Sequence, residues 1–376
     1  MLGLVLVLAL VAAACNSAVE PTTTFLATTT TEASTTTEAS TTTIAPTTTT
    51  TAPMEVQGAE PALVELVRAV YEDKTSPEDG VAAVGAFDET TRVAVVTAGA
   101  DVTLAVADPG WRIVGGWWPS ISERPTLGEF PKLMLVIGSD ARPGHDPLRS
   151  QADSLHFVGL AEDGTATVVG VPRDSWLPVP GRGNMKITSS LLKGGPELTM
   201  QALSDASGIE FDGYLITGFE GFQDLIEVLG GLDIVVPLDL NDKWAKAYID
   251  AGRQILTPSD ALAFARVRKT ISGGDFTRKF HGGLALIAAA TMVQAMGPEA
   301  IPGLLEVSSG LYWTDLSAEE ALLLAAAIVR ADLSKATNVV AEGSVSTTSG
   351  GASIVRLADS AFALFEDMHD GVLENG

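Results

Sequence analysis

Five short polar islands interrupt long apolar runs, and four of them hold arginine and aspartate together. The five are Gly138-Ser139-Asp140-Ala141-Arg142; Arg149 with Asp153; Pro172-Arg173-Asp174; Lys186; and Arg266-Val267-Arg268 with Gly274-Asp275-Phe276-Thr277-Arg278. Guanidinium forks match phosphate oxygens bidentately. Carboxylates suit a hard cation such as Mg²⁺, which takes one or two of them and leaves its other positions to substrate phosphates. Several Arg and Asp together therefore fit metal-assisted chemistry on a phosphorylated substrate. A structural salt-bridge network fits the same composition.

Other chemistries are poorly served. With a single cysteine, Cys15, there is no intramolecular disulfide framework and no zinc site of several thiolates. Four scattered histidines argue against a His-rich metal centre, and His145, His156 and His369 stand beside no evident nucleophile. Neither GxxxxGK nor a dinucleotide-binding glycine fingerprint follows a strand pattern, which argues against ATP and NAD.

The islands need elements to position them. "KLMLVIGSD" reads as a buried strand ending in polar residues, and "SLHFVGL" with "TATVVGVPRD" as a hairpin about Glu162-Asp163-Gly164. "GGPELTMQALSDASG" predicts a helix opening near Pro196 and closing at Gly208. "YLITGFEGFQDLIEVLGGLDIVVP" reads strand, helix, strand, and Thr257-Pro258-Ser259-Asp260 opens a helix "ALAFARVR". Two Ala/Leu-rich helices follow around 283–296 and 318–331, then a strand at Asn338–Val340 and a helix near 356–369. Alternation of this kind predicts an α/β domain with a mixed sheet. The first three islands abut strands, so their side chains gather at one sheet edge, where such folds bind ligands.

Upstream, residues 60–72 have helical apolar spacing, and "RVAVVTA", "VTLAVA" and "WRIVGGWWP" read as strands. They make a small α+β module over 58–125 whose role is not legible. Trp111, Trp117 and Trp118 are expected in its core; a sugar-stacking platform is the alternative.

The chain has 376 residues, 46% of them hydrophobic, and a formal charge of −24. A surface so acidic repels a phosphate backbone, so nucleic acid is not an expected partner. The charge is uneven: Lys132–Lys279 holds 15 basic and 19 acidic residues, net −4, while the remainder carries −20. An anion site is expected in the centre.

Leu2–Ala14 is an uncharged run too short to span a bilayer and suited to a signal peptide (1–14). Ala12-Ala13-Ala14-Cys15 resembles a bacterial lipobox, although Ala12 replaces the commoner Leu and no Lys or Arg precedes the run. Residues 21–53 are almost wholly Thr, Ala, Ser, Pro and Glu, too apolar-poor to offset the ordering entropy of a fold. Residues 15–57 thus read as a lipidated Cys15 and a disordered Thr-rich linker, and the protein as extracytoplasmic and membrane-tethered.

"LVIGSDARPG", "RSQADSLHFVGL", "GVPRDSWLPVPG", "KITSSLLKGGPEL", "GFEGFQDLIEVLGGLDIVVP", "LTPSDALAFARVRK" and "GDFTRK" occur in this order. Together they closely resemble the LytR–CpsA–Psr family of bacterial cell-envelope enzymes, strongly over roughly 131–300. The resemblance implies that 126–376 is an α/β/α sandwich binding polyprenyl-pyrophosphate lipids in an apolar tunnel. It implies transfer of a lipid-linked glycopolymer to peptidoglycan, with Mg²⁺ (or Mn²⁺). Asp140 and Asp153 match the family's metal-binding aspartates; Arg173, Arg266, Arg268 and Arg278 match its pyrophosphate-binding arginines. Asp174 and Asp275 fall at charged motif positions suited to ordering the site or moving a proton, and Arg149 and Lys186 at positions suited to the substrate.

Two positions depart from the pattern. Gln151-Ala152 separates the Arg149-Ser150 pair from Asp153, and His281-Gly282 stands where the family commonly has Arg-Gln. The resemblance implies that the second change alters acceptor handling or lowers activity. A polyprenyl-pyrophosphate lipid hydrolase and a non-catalytic polyprenyl-lipid binding protein are the alternative functions. A transcription regulator is disfavoured by the signal sequence and the lack of a basic recognition helix.

Overall fold

A computed structural model describes residues 54–374 except 76 and 78. The expected signal peptide, Cys15 and the Thr-rich tract 21–53 lie outside the described residues, whereas residues 54–57 of the expected disordered linker are described and include a short strand. The first strands are β1 (Val56–Gln57), β2 (Gly80–Ala86), β3 (Arg92–Ala98), β4 (Asp101–Ala107), β5 (Trp111–Trp118) and β6 (Glu123–Thr126), with α1 (Pro61–Val70) between β1 and β2. They form one six-stranded sheet in sequential order, antiparallel apart from the β1–β2 pair.

The chain continues through β7 (Lys132–Ser139), β8 (Ala152–Leu160), β9 (Ala166–Gly170), β10 (Trp176–Val179), β11 (Gly183–Lys186) and α2 (Thr188–Ser207). Next come β12 (Gly213–Thr217), α3 (Phe219–Val228), β13 (Leu232–Val236), β14 (Leu240–Asp242), β15 (Ala247–Ile249), β16 (Gly252–Leu256) and α4 (Pro258–Phe264). The remainder is α5 (Asp275–Met296), α6 (Ile301–Val307), β17 (Trp313–Thr314), α7 (Ala318–Arg330), β18 (Thr337–Val340), β19 (Gly343–Thr347), β20 (Ser353–Leu357) and α8 (Asp359–Asp367). The central sheet runs β17-β12-β7-β8-β9-β18. β12 pairs parallel with β7 and β18 with β9, while the other pairs are antiparallel, so the sheet is mixed as the alternation predicts.

The two-residue strand period sorts β7 onto both faces. Leu133, Leu135 and Ile137 enter the core shared with α2 and α8, whereas Met134 and Val136 enter the core shared with α5 and α7. Helices on both faces make the expected α/β/α sandwich. The same period divides the first sheet. Ala94 and Val96 of β3 pack with Leu63 and Val67 of α1, while Val93 and Val95 join the core containing Ile301, Leu304 and Leu322. The first module is therefore covered by α6 and α7, supplied from over 170 residues downstream. The fit is close: a Cβ on Gly85 would lie 2.2 Å from the Pro302 carbonyl oxygen.

The tryptophans serve packing. Trp117 and Trp118 are buried, Trp118 donating from Nε1 to Thr103 Oγ1 at 2.9 Å. Trp111 donates to Glu60 at 3.1 Å and carries Arg92 over its ring.

Two helices differ from expectation. α2 begins at Thr188, well before Pro196, and breaks at Gly195 (φ 82°, ψ −172°). Pro196 lacks the N–H of a continuous helix, and a left-handed residue before it suits glycine. α4 stops at Phe264, so Arg266-Val267-Arg268 is a loop rather than helical. Asp242, from 27 positions upstream, accepts the Lys269 amide at 3.1 Å and thereby holds that loop. Thr257 caps α4 as expected, its hydroxyl accepting the Asp260 amide. Among the described residues no single helix is long and apolar enough to cross a membrane.

Candidate functional site

The polar islands converge at one end of the central sheet. Asp140 follows the end of β7, Asp153 is the second residue of β8, and Arg173 follows β9. Arg278 comes from the first turn of α5, whose Asp275 stands one helical turn earlier. Parallel strands β7 and β12 point their C-terminal ends here, the edge expected to bind ligands.

Asp153 is the hub. Arg173 donates from Nη1 to its Oδ1, and Arg278 from Nη1 to its Oδ2 at 3.4 Å. Arg278 Nη2 and Lys279 Nζ both donate to the Asp153 main-chain carbonyl, at 3.1 and 2.6 Å. Arg278 also ion-pairs with Asp275, outside hydrogen-bond geometry. Burial favours neutral Asp275, but the charges of Lys279, Arg278 and Arg173 outweigh it and hold the carboxyl below its ordinary range. Burial lowers Arg278, with Asp275 and Asp153 opposing. Lys279 is fully buried, and burial together with the nearby Arg278 charge pushes its pKa down to about 7.

Asp140 is tied to this hub through Gln151. The Asp140 amide donates to the Gln151 carbonyl at 2.9 Å, and the Gln151 amide donates to Asp140 Oδ1 at 2.8 Å. The Gln151 side chain accepts from Thr188 and Ser189 at the start of α2. The residue separating Ser150 from the Ala152-Asp153 pair is thus built into the site. Asp174 pairs with Lys186 at 2.8 Å on the half-exposed rim. Arg266 lies over the Phe219 ring at 4.6 Å, and the charge of Arg268 acts on Arg278. Arg149 is exposed beside Gly195, at the break in α2.

Sequence reasoning gave no role to Lys279, although it stands next to Arg278 in the quoted "GDFTRK". His156 was likewise unassigned. Its Nε2 donates to the Lys279 carbonyl at 2.9 Å, and Ser154 Oγ lies 3.4 Å from Nδ1. Burial and the Lys279 charge push its pKa down to about 3, so the ring is neutral. Gly282 makes room for it, since a Cβ there would lie 2.6 Å from His156 Cε1. His281, at the other departing position, is buried and stacks on Phe264 with ring centroids 4.5 Å apart. Neither ring nitrogen has a hydrogen bond of normal geometry. Burial pushes its pKa down to about 4 against a weaker pull from the Phe264 backbone.

An apolar cleft opens from this cluster between the sheet and α3, α4 and α5. Asp153, Arg266 and Arg278 line its polar part; Val136, Phe222 and Leu286 line its apolar part. Val136 and Leu286 also line a second cavity, which reaches Ile287 and Ala290 of α5 and Leu324 and Ile328 of α7. A cleft with arginines in its polar part, next to a second cavity with aliphatic walls, suits an amphiphile with a phosphorylated head. The Nε groups of Arg173 and Arg278 are buried without hydrogen-bond partners among the described residues, an arrangement expected where an anion completes the site.

Among the described residues no group of three or more His, Cys, Asp or Glu could hold a metal. Asp140 and Asp153 still offer hard oxygen donors of the kind that bind Mg²⁺ in combination with substrate phosphates. That donor chemistry fits such an ion.

Residues 125–295 match the LytR_cpsA_psr family. A 151-residue segment is 30% identical to the probable cell wall biosynthesis protein LcpB of Corynebacterium glutamicum, covering 37% of this chain and 36% of that protein. A 158-residue segment is 32% identical to polyisoprenyl-teichoic acid–peptidoglycan teichoic acid transferase TagV of Bacillus subtilis, covering 40% of each. The chain thus spans less than half the length of these two relatives. The crystal structure of B. subtilis TagV superposes with a TM-score of 0.53 at 25% identity, covering 63% of this chain and 95% of that one. The family protein YwtF (TagT) with bound octaprenyl pyrophosphate lipid shares the fold at a TM-score of 0.51 and 18% identity, covering 67% and 95%. Over residues 125–295, the chain is similar to the LytR–CpsA–Psr family.

Proposed function

We propose that the protein transfers a polyprenyl-pyrophosphate-linked glycopolymer to peptidoglycan, working outside the cytoplasmic membrane and tethered there by a lipid on Cys15. The observation that carries this is Arg173 and Arg278, both held on Asp153 with buried Nε atoms that have no hydrogen-bond partner among the described residues, near a cleft with aliphatic walls. The names of TagV and LcpB support it. The likeness to lipid-bound TagT is one of fold, so the chain's own residues bear the weight.

In this proposal the pyrophosphate lies against Arg173, Arg266, Arg268 and Arg278, and the polyprenyl chain enters the cleft past Val136 and Leu286. A sugar hydroxyl of peptidoglycan attacks the phosphorus bonded to the glycan. A new P–O bond forms, the P–O bond to the bridging oxygen breaks, and polyprenyl phosphate leaves with the bridging oxygen. Preorganised guanidinium groups offset the charge that develops on that oxygen. Asp153 fixes the Arg173 and Arg278 forks. Burial of both Asp275 oxygens supports a role in orienting Arg278. The hydroxyl proton is assigned to Asp174 on the reachable rim, where Lys186 pairs with it. Mg²⁺ (or Mn²⁺), held by Asp140 and Asp153, would supply further charge neutralisation on the phosphates.

The test is incubation of the purified protein with Mg²⁺, a synthetic polyprenyl-pyrophosphate glycan and peptidoglycan fragments, followed by mass spectrometry. Glycan joined to peptidoglycan is the expected product. Free phosphoglycan would make the protein a hydrolase, and tight lipid binding with no product would make it a carrier.

A further inference from the structure

One surface feature has no part in the chemistry above. Strands β13–β16 form a ribbon of two successive antiparallel ladders, β13 with β16 and β14 with β15, with Leu232 opposite Leu256 at its base and Asp242 opposite Ala247 at its tip. One face is buried in the core through residues such as Ile234, Leu240 and Ile249. The other exposes Val235 (61%), Leu238 (42%), Trp244 (54%), Tyr248 (68%) and Ile255 (66%). Eleven large hydrophobic residues are exposed among the described ones, and five fall within positions 235–255. Scattered exposed hydrophobics need no explanation, but a cluster marks an interaction surface.

The tip is basic in an otherwise acidic chain. Lys243 and Lys269 place their ammonium groups 4.7 and 4.6 Å from the Trp244 ring centroid, and Lys246 occupies the turn with φ 59°. The acid at the tip, Asp242, is buried and accepts the amides of Trp244, Ala245 and Lys269. Asp233 pairs with Arg253 at the base. Asp239 and Asp250 are exposed near the middle, Asp239 accepting the Ala251 amide. Through Asp242 the tip is fastened to Lys269, the residue after Arg268, so the ribbon and the arginine loop are joined.

We propose that this ribbon docks the protein on an anionic lipid bilayer, with Trp244 and Tyr248 at headgroup level and Lys243, Lys246 and Lys269 on lipid phosphates. Amphipathic aromatic rings favour the membrane–water interface, and lysines beside it are attracted to anionic lipids. A glycan platform fits less well. Sugar stacking needs an open aromatic face, whereas two ammonium groups crowd Trp244, and Val235, Leu238 and Ile255 offer a sugar nothing specific. Docking here would hold the arginine loop close to the surface from which a phospholipid-like substrate is drawn. The proposal concerns the ribbon alone and stands apart from the transferase reaction.

The experiment is co-sedimentation of the full chain with phosphatidylcholine vesicles, with and without phosphatidylglycerol. Variants are K243A/K246A and W244S/Y248S, with circular dichroism to confirm folding. Any contribution from the N-terminal segment is common to all variants, so differences report the ribbon. Wild type should prefer the anionic vesicles, and each lysine removed should weaken that binding about fivefold at low salt. Brominated lipid should quench wild-type fluorescence in part, and W244F should lose that part. Folded variants that bind anionic vesicles as wild type does would overturn the proposal. So would variants that keep vesicle binding and lose binding to isolated peptidoglycan, which would assign the ribbon to glycan.

Discussion

The ammonium of Lys279 is fully buried and sits 2.6 Å from the main-chain carbonyl of Asp153, a residue 126 positions earlier. It joins the first turn of α5 to the start of β8 at the point where Asp153 also receives both arginines. Lys279 thus acts as a positioning residue for the Asp153 hub.

Replacing Lys279 with Met tests that role. The Asp153 carbonyl keeps Arg278 Nη2 as a donor, so unfolding free energy should change by no more than about 1–2 kcal/mol. Affinity for a short polyprenyl pyrophosphate should fall about tenfold, because the forks lose their fixed support. Titration calorimetry beside denaturant unfolding separates the two effects; unchanged affinity would refute the positioning role.

Arg173→Ala removes a fork and leaves one Asp153 oxygen without its main partner. Loss of a preorganised charge donor costs about 10²–10³ in turnover. Arg173→Lys keeps the charge and loses bidentate geometry, so it should recover only part of that rate. Steady-state transfer rates of the folded variants check both.

His281 gives a pH signature in stability. It titrates near 6.5 when unfolded and at about 4 in the buried stack. The unfolded state therefore binds the proton first, and the contribution present above pH 6.5 declines as pH falls toward 4. His281→Phe should remove up to about 3 kcal/mol of that decline. Denaturant unfolding of both proteins from pH 7 to 4 reads the difference; parallel profiles would contradict it.

Gly282→Ala should cost about 1–3 kcal/mol by driving a methyl group into the His156 ring. The paired change Gly282→Ala/His156→Ala should cost less than the sum of the single changes. Full additivity in thermal or denaturant unfolding would argue against the close approach.

Most of the frame was legible because its signals are local. The unbroken apolar run "LMLVI" marked β7 as a buried strand, and Thr257 marked the start of α4. The misjudged parts depend on distant partners. Nothing near Arg266 shows that Asp242 will take the Lys269 amide and end α4 early. The first module read as a separate unit, because its cover, α6 and α7, comes from far downstream. At the site, the family motifs supplied Asp153, Arg173 and Arg278, and the structure draws these together with Asp275. Lys279 was overlooked because a lysine after a functional arginine reads as solvated, and only the fold shows it buried.

The central claim is that a peptidoglycan hydroxyl displaces the bridging oxygen of the pyrophosphate from the phosphorus bonded to the glycan. The measurement that tests it most directly is identification of the released lipid together with the ligated product, quantified in one reaction by mass spectrometry. The account predicts polyprenyl monophosphate in equal amount to glycan joined to peptidoglycan through a phosphodiester. Release of polyprenyl pyrophosphate, or of monophosphate without any ligated product, would contradict it.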